Sequence, residues 1–122
     1  MTGTDVLVVD DEPDVRSSVA EILRGAGYRV AEAADGSEAL AVLSSETVGA
    51  VLLDLRMPNM DGMTLVERLE DPPPILVVSS HSPDDGERAR LGRKVVDVLK
   101  KPVHPDVLLD RLGRALERKD GA

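Results

Sequence analysis

A doubly wound α/β sandwich built on a parallel sheet is the predicted fold class, and two observations predict it. Five short apolar runs alternate with five segments of helical periodicity along the chain, the order that generates parallel sheets with helices on both faces. The runs are continuous Val, Leu and Ile rather than alternating apolar and polar residues, which suits strands buried on both sides.

The elements follow in order. Asp5 to Asp10 reads as the first strand, and Asp11-Glu12-Pro13-Asp14 as a loop and helix start, with Pro13 suited to the first turn. Val15, Val19, Ile22 and Leu23 share one helical face, and Gly25 and Gly27 punctuate its end. Tyr28 to Ala33 can form a second strand, and Asp35-Gly36-Ser37 leads into a helix with Ala39, Leu40, Val42 and Leu43 as its apolar stripe. The third strand, Val51-Leu52-Leu53, ends at Asp54; Met57-Pro58 turns the chain and Asp61-Gly62 opens a helix carrying Met63, Leu65, Val66 and Leu69. Asp71-Pro72-Pro73-Pro74 stops that helix.

Ile75 to Val78 is the fourth strand, ending at Ser79-Ser80. From His81 to Gly92 only Ala89 and Leu91 are available to dock a helix, so a short or mobile one is expected. Val95 to Leu99 is the fifth strand, ending in Lys100-Lys101-Pro102. The last helix is expected near His104-Pro105-Asp106, with Val107, Leu108, Leu112 and Leu116 inward, Gly113 weakening it and a frayed tail from Glu117. The 122 residues make one domain, residues 1–122 with a core of about 4–118, without repeat, linker or low-complexity tract.

Composition narrows the function classes. Hydrophobic residues are 42% and charged residues 31%, as in a globular domain, and the lack of cysteine excludes disulfides and thiolate metal sites. Tyr28 is the only aromatic, so base stacking on nucleic acid is not expected. The N-terminus has neither a basic segment nor an apolar stretch long enough for a signal peptide or membrane span, which predicts a cytoplasmic protein. The net charge of −8 is unevenly spread: residues 1–87 hold 5 basic and 18 acidic side chains, residues 88–119 hold 10 basic and 4 acidic. A basic last third on an acidic chain fits either solvated helix faces or a docking face.

In a parallel sheet all strands end on one side, so Asp10 and Asp11, Asp54, Ser79 and Lys101 are expected to gather there. Three close carboxylates repel, and a proton or a divalent cation must relieve them. Mg²⁺ fits an all-oxygen site of this kind. Lysine can pair with Asp54 and then with a phosphoryl group, and serine can donate to a phosphoryl oxygen. Together these groups describe phosphoryl transfer onto aspartate. Asp61 reads as a helix cap and Pro58 as a turn former; His81 and His104 lack metal-ligand spacing and read as loop residues.

The segments VLVVDDEPDVR, LLDLRMPNMDG, ILVVSS and VLKKPV, in this order across nearly the whole chain, resemble the receiver domains of two-component response regulators. The resemblance implies a flavodoxin-like, CheY-like three-layer sandwich with Asp54 as phosphoacceptor, served by a histidine kinase, a phosphotransfer protein or a small phosphodonor. It implies Mg²⁺, with Mn²⁺ as the alternative, on Asp11, Asp54 and the Arg56 backbone carbonyl, with Asp10 acting through water. Ser79 would be the switch hydroxyl, Ser80 the small neighbour, and Lys101 the phosphate-pairing cation, with a cis bond to Pro102. Arg56 and His81 would occupy the positions that tune water access to the acyl phosphate. Such a domain labels and unlabels itself but is not an enzyme with an external product.

Two departures stand out. Val98 occupies the usual place of a switch aromatic and has no ring to swing, so a signal would have to travel through backbone movement of the 81–92 segment. Lys94-Val95 stands where Gly-Ala is common. Both fall in the basic third, which points to an acidic protein partner or output domain rather than nucleic acid or membrane. A haloacid-dehalogenase-like phosphatase is the enzymatic alternative, though Asp10 followed by Glu12 fails its two-aspartate pattern. A phosphorylation-independent, receiver-shaped interaction module is the other, favoured only by Val98. No output domain is expected after the last helix, and a stand-alone receiver and the N-terminal part of a longer regulator both fit.

Overall fold

The computed structural model describes residues 3–57 and 61–121. The expected alternation is present: β1 Gly3–Val9, α1 Pro13–Gly25, β2 Val30–Ala33, α2 Gly36–Ser45, β3 Thr47–Leu53, α3 Gly62–Arg68, β4 Ile75–Ser79, α4 Asp85–Leu91, β5 Val95–Lys100 and α5 Pro105–Gly121. All pairings are parallel and the strand order is β2-β1-β3-β4-β5. Pro58, read as a turn former, lies outside the described residues.

Strand alternation divides the core in two. Leu7, Val9, Val51, Leu53, Ile75 and Val77 face one side, where Ala39 of α2, Leu65 and Val66 of α3 and Leu91 of α4 cover them. Val6, Val8, Ala50, Leu52 and Leu76 face the other, under Leu23 of α1 and Leu108, Leu112 and Ala115 of α5. Both faces of the central strands are buried, as the unbroken apolar runs required.

Caps set several helix starts. Asp35, Asp61 and Asp84 each accept a hydrogen bond from the third residue beyond, Glu38, Thr64 and Glu87, at 2.8 to 2.9 Å. Glu87 also accepts from the Asp84 N–H, closing a capping box. The second strand begins at Val30 rather than Tyr28, because the Tyr28 N–H still bonds back to Leu23 and Gly27 turns the chain at φ 98°.

Two inward assignments are corrected. Val107 is 43% exposed: it precedes the buried Leu108 by one residue, so it lies about 100° around the helix from the Leu108 and Leu112 stripe. Ala89 is exposed although Leu91 is buried, for the same reason of helical phase. Polar ties supplement the buried Leu91 in docking the short helix α4: Arg90 forks onto Glu67 of α3, and Lys94, in the turn after α4, donates through Nζ to the Val66 carbonyl at 2.9 Å. Lys94, one of the two departures, therefore has a structural use.

Candidate functional site

The strand order reverses its winding between β1 and β3, which opens a crevice at their carboxyl ends. Val9 pairs with Leu53, and the Asp54 N–H donates to the Val9 carbonyl at 3.0 Å, so Asp10 and Asp54 emerge side by side. Ser79 pairs with Lys100, and the Lys101 N–H donates to the Ser79 carbonyl at 2.9 Å, which delivers serine and lysine to the same rim.

Ligand oxygens of Asp10, Asp11 and Asp54 lie within 4.8 Å of one another. Asp10 and Asp54 are only 4% and 7% exposed, and Ser79 1%. Lys101 Nζ bridges two of the acids, donating to Asp10 Oδ2 at 2.8 Å and to Asp54 Oδ2 at 3.3 Å. The nearer tie is thus to Asp10. Burial pushes the Lys101 ammonium toward neutrality, but the hydrogen bond and charge of Asp10, with those of Asp54 behind them, outweigh it and hold its pKa above the ordinary lysine value.

The other carboxylate oxygens are also occupied. The Arg56 N–H donates to Asp54 Oδ1 at 3.1 Å, and the Glu12 N–H to Asp10 Oδ1 at 3.0 Å. Asp11 differs: its half-buried carboxylate has no hydrogen-bond or ion-pair partner among the described residues. A carboxylate set beside two others without a structural task matches an oxygen-ligated divalent cation, so the donor set fits Mg²⁺. The Ser79 Oγ accepts the His81 N–H at 3.3 Å, which leaves its own proton free to donate outward.

The expected neighbours assemble around this cluster. Arg56 and His81, both exposed, line an opening of about 500 Å³ together with Asp11, Met57 and Glu87. His81 Nε2 stands 3.7 Å from Glu87 Oε1. On the other side, Ser80, Lys101, Asp10 and Asp54 border a largely apolar cleft of about 660 Å³ between α1 and α5, where Val15, Val19 and Ile22 stay half-covered. The Lys101–Pro102 peptide is cis. Val98 packs half-buried against the core that includes Leu91. His104 is exposed, its Nδ1 accepting the Asp106 N–H.

Two residues escaped the sequence reading. Arg16 of α1 donates through Nη1 to the Asp10 carbonyl at 2.8 Å, and its Nε lies 3.4 Å from Glu32 Oε1 of β2. The available signal was that Arg16 is the only basic side chain before Arg24. Gly62 not only opens α3 but presses its backbone on that of Asp54 and Leu55: a Cβ there would lie 2.8 Å from the Asp54 carbonyl oxygen and 2.6 Å from Leu55 Cα. Only glycine fits so close an approach.

A five-stranded parallel sandwich with its acids, hydroxyl and lysine on one rim defines a CheY-like α/β domain. The chain belongs to the response regulator receiver domain family, whose model matches residues 6–113. The transcriptional regulatory protein PrrA of Mycobacterium tuberculosis is 37% identical over 122 residues, covering 98% of this chain and 52% of PrrA. The transcriptional regulatory protein GlrR of Escherichia coli is 34% identical over 116 residues, 93% of this chain and 26% of GlrR. This chain therefore spans about half, or less, of the length of these relatives. A CheY-like receiver domain protein from Methanospirillum hungatei superposes with a TM-score of 0.89 at 27% identity, covering 98% of both chains. Chemotaxis protein CheY4 of Vibrio cholerae gives 0.84 at 32% identity, over 93% of this chain and 99% of CheY4. Membership in this family removes the haloacid-dehalogenase alternative, and among the described residues no helix is long and apolar enough to cross a membrane.

Proposed function

We propose that this chain is a phosphoacceptor of two-component signalling in which Asp54 takes a phosphoryl group from a histidine kinase, a phosphotransfer protein or a small phosphodonor. The supporting observation is the convergence of Asp10, Asp11 and Asp54 within 4.8 Å under one bridging lysine. An Asp54 oxygen attacks phosphorus, the bond to the donor's nitrogen or oxygen breaks, and an acyl phosphate forms on Asp54. Asp11, Asp54 and the Arg56 backbone carbonyl, with Asp10 through water, would hold Mg²⁺ or Mn²⁺, which supplies charge that offsets the acids and the phosphoryl oxygens. Lys101 transfers its pairing to the phosphoryl group, Ser79 donates its hydroxyl to it, and the small Ser80 leaves it room. Arg56 and His81, flanking the opening beside Asp11, govern how water reaches the acyl phosphate. The domain labels and unlabels itself: water attacks the acyl phosphate, the bond to the Asp54 carboxyl oxygen breaks, and inorganic phosphate leaves, with no further substrate transformed.

Intact-mass measurement after incubation with acetyl phosphate and Mg²⁺ tests the reading. One phosphoryl adduct is expected on the wild type and none on Asp54→Asn; an adduct on both, or on neither, overturns the acceptor.

Signal leaves through the 81–92 segment, because Ser79 contacts the His81 backbone and Val98 offers no ring to relay. The docking face is narrower than the charge count implied: Arg90, Arg111 and Arg114 are paired to Glu67, Asp97 and Asp110. Exposed Arg88, Arg93 and Lys100, which have no charged partner among the described residues, are left to meet an acidic protein partner or output domain. Affinity for such a partner is expected to fall several-fold between low and physiological ionic strength; salt-independent binding in a titration would remove this docking mode.

A further inference from the structure

We infer that Arg16 is a positioning residue for the divalent-cation site, clamping the Asp10–Asp11 peptide, with Glu32 orienting it from the edge strand. The inference rests on the cation-site reading above.

Asp11 poses the problem. Its carboxylate has no partner among the described residues, so nothing at the side chain's tip holds it beside Asp10 and Asp54. Its position has to come from the backbone. The peptide unit joining Asp10 to Asp11 is a rigid plane, so fixing the Asp10 carbonyl fixes the plane that carries the Asp11 Cα. The Asp10 N–H is bonded to the Ala33 carbonyl at 3.1 Å and the Glu12 N–H to Asp10 Oδ1 at 3.0 Å. Arg16 Nη1, at 2.8 Å from the Asp10 carbonyl oxygen, completes the restraint from one helical turn into α1.

Arg16 also brings a positive charge close to a site meant for a cation, and by Coulomb repulsion alone it would weaken binding. Glu32 answers this. It lies 3.4 Å from Arg16 Nε and is itself tied to Arg24 at 3.3 Å, so it both offsets the charge and fixes the guanidinium plane. Geometry and charge therefore predict opposite signs for loss of the arginine. With Glu32 in place, geometry governs, and such outer restraints on metal ligands are worth about 10- to 100-fold in affinity.

The test titrates Mg²⁺ into the full chain by calorimetry, with no phosphodonor present. Arg16→Met is expected to weaken Mg²⁺ about tenfold, Arg16→Lys to recover part of the loss, and Glu32→Gln to weaken binding by a smaller factor through the uncovered charge. In parallel, the Mg²⁺ concentration for half-maximal labelling by acetyl phosphate rises in Arg16→Met, while the dependence on acetyl phosphate at saturating Mg²⁺ stays that of the wild type. General damage to the fold would move both. Mg²⁺ bound by Arg16→Met as tightly as by wild type, or more tightly, overturns the inference and leaves the phosphoacceptor reading intact. Should Arg16→Met fail to fold, Arg16→Lys and Glu32→Gln decide, and wild-type affinity in both overturns it. A wild type that takes up no Mg²⁺ sinks the cation site itself, and this inference with it.

Discussion

Asp11→Asn is expected to make the metal-free chain more stable by about 1 to 2 kcal/mol and to erase its stabilisation by Mg²⁺. Three carboxylates share a space of 4.8 Å, and Lys101 reaches only two of them. At that separation and an effective dielectric suited to a partly solvated rim, each unrelieved repulsion is on the order of 1 to 3 kcal/mol. Asp11 contributes repulsion without a hydrogen bond or ion pair to offset it, so its neutral isostere removes a cost and creates none. The wild type regains the deficit from a bound cation, by an amount that grows with the logarithm of Mg²⁺ concentration over its dissociation constant. The variant has lost a ligand and should show no such dependence. Urea unfolding in chelator and in millimolar Mg²⁺ reads both effects, and labelling by acetyl phosphate should fall about a hundredfold or more. An Asp11→Asn chain as Mg²⁺-responsive as wild type would mean that the third carboxylate is no ligand.

Much of the candidate site is legible in the sequence because its residues stand at the ends of strands. Strand ends are visible in sequence, because an apolar run that stops at Asp10, Asp54, Ser79 or Lys101 marks both the edge of the sheet and the residue on it. A parallel sheet then brings every such end to one rim, whatever the details of packing. Helical phase was the first thing to escape. Val107 and Leu108 differ by one position in sequence but by about 100° in direction, and an apolar pattern with one surplus member does not say which member is surplus. Backbone partners were the second. Arg16 acts on a carbonyl and Gly62 makes room for one, and carbonyls carry no sequence identity. Pairing was the third: a count of basic residues over 88–119 cannot reveal that Arg90 and Lys94 serve to anchor a helix with little apolar surface of its own.

Lys101→Met is expected to destabilise the metal-free chain by about 2 to 3 kcal/mol, nearly all of it recoverable with Mg²⁺. Removing one partner of a fully buried pair costs roughly 3 to 5 kcal/mol, because the abandoned charge stays desolvated. Here Asp10 and Asp54 are largely buried but sit at an open rim beside a partly exposed Lys101, so the cost falls at or just below the lower end of that range. The pH dependence has a definite sign. The folded-state pKa of Lys101 is raised above its ordinary 10.5, so the folded chain holds that proton more tightly than the unfolded one. Its contribution is therefore full below about pH 10.5 and is lost as pH rises through the folded-state value. The stability gap between wild type and Lys101→Met should be flat from pH 6 to 9 and close only in the alkaline range. Mg²⁺ should close it at neutral pH, since the cation takes over the ammonium's task of relieving the acids, and the variant should bind Mg²⁺ more tightly than wild type because one competing positive charge is gone. Unfolding curves in chelator and in saturating Mg²⁺, together with Mg²⁺ titrations on the two proteins, check this. If the gap persists unchanged in saturating Mg²⁺, Lys101 supports the fold by its packing rather than by charge, and its transfer from the acids to an incoming phosphoryl group loses its energetic basis.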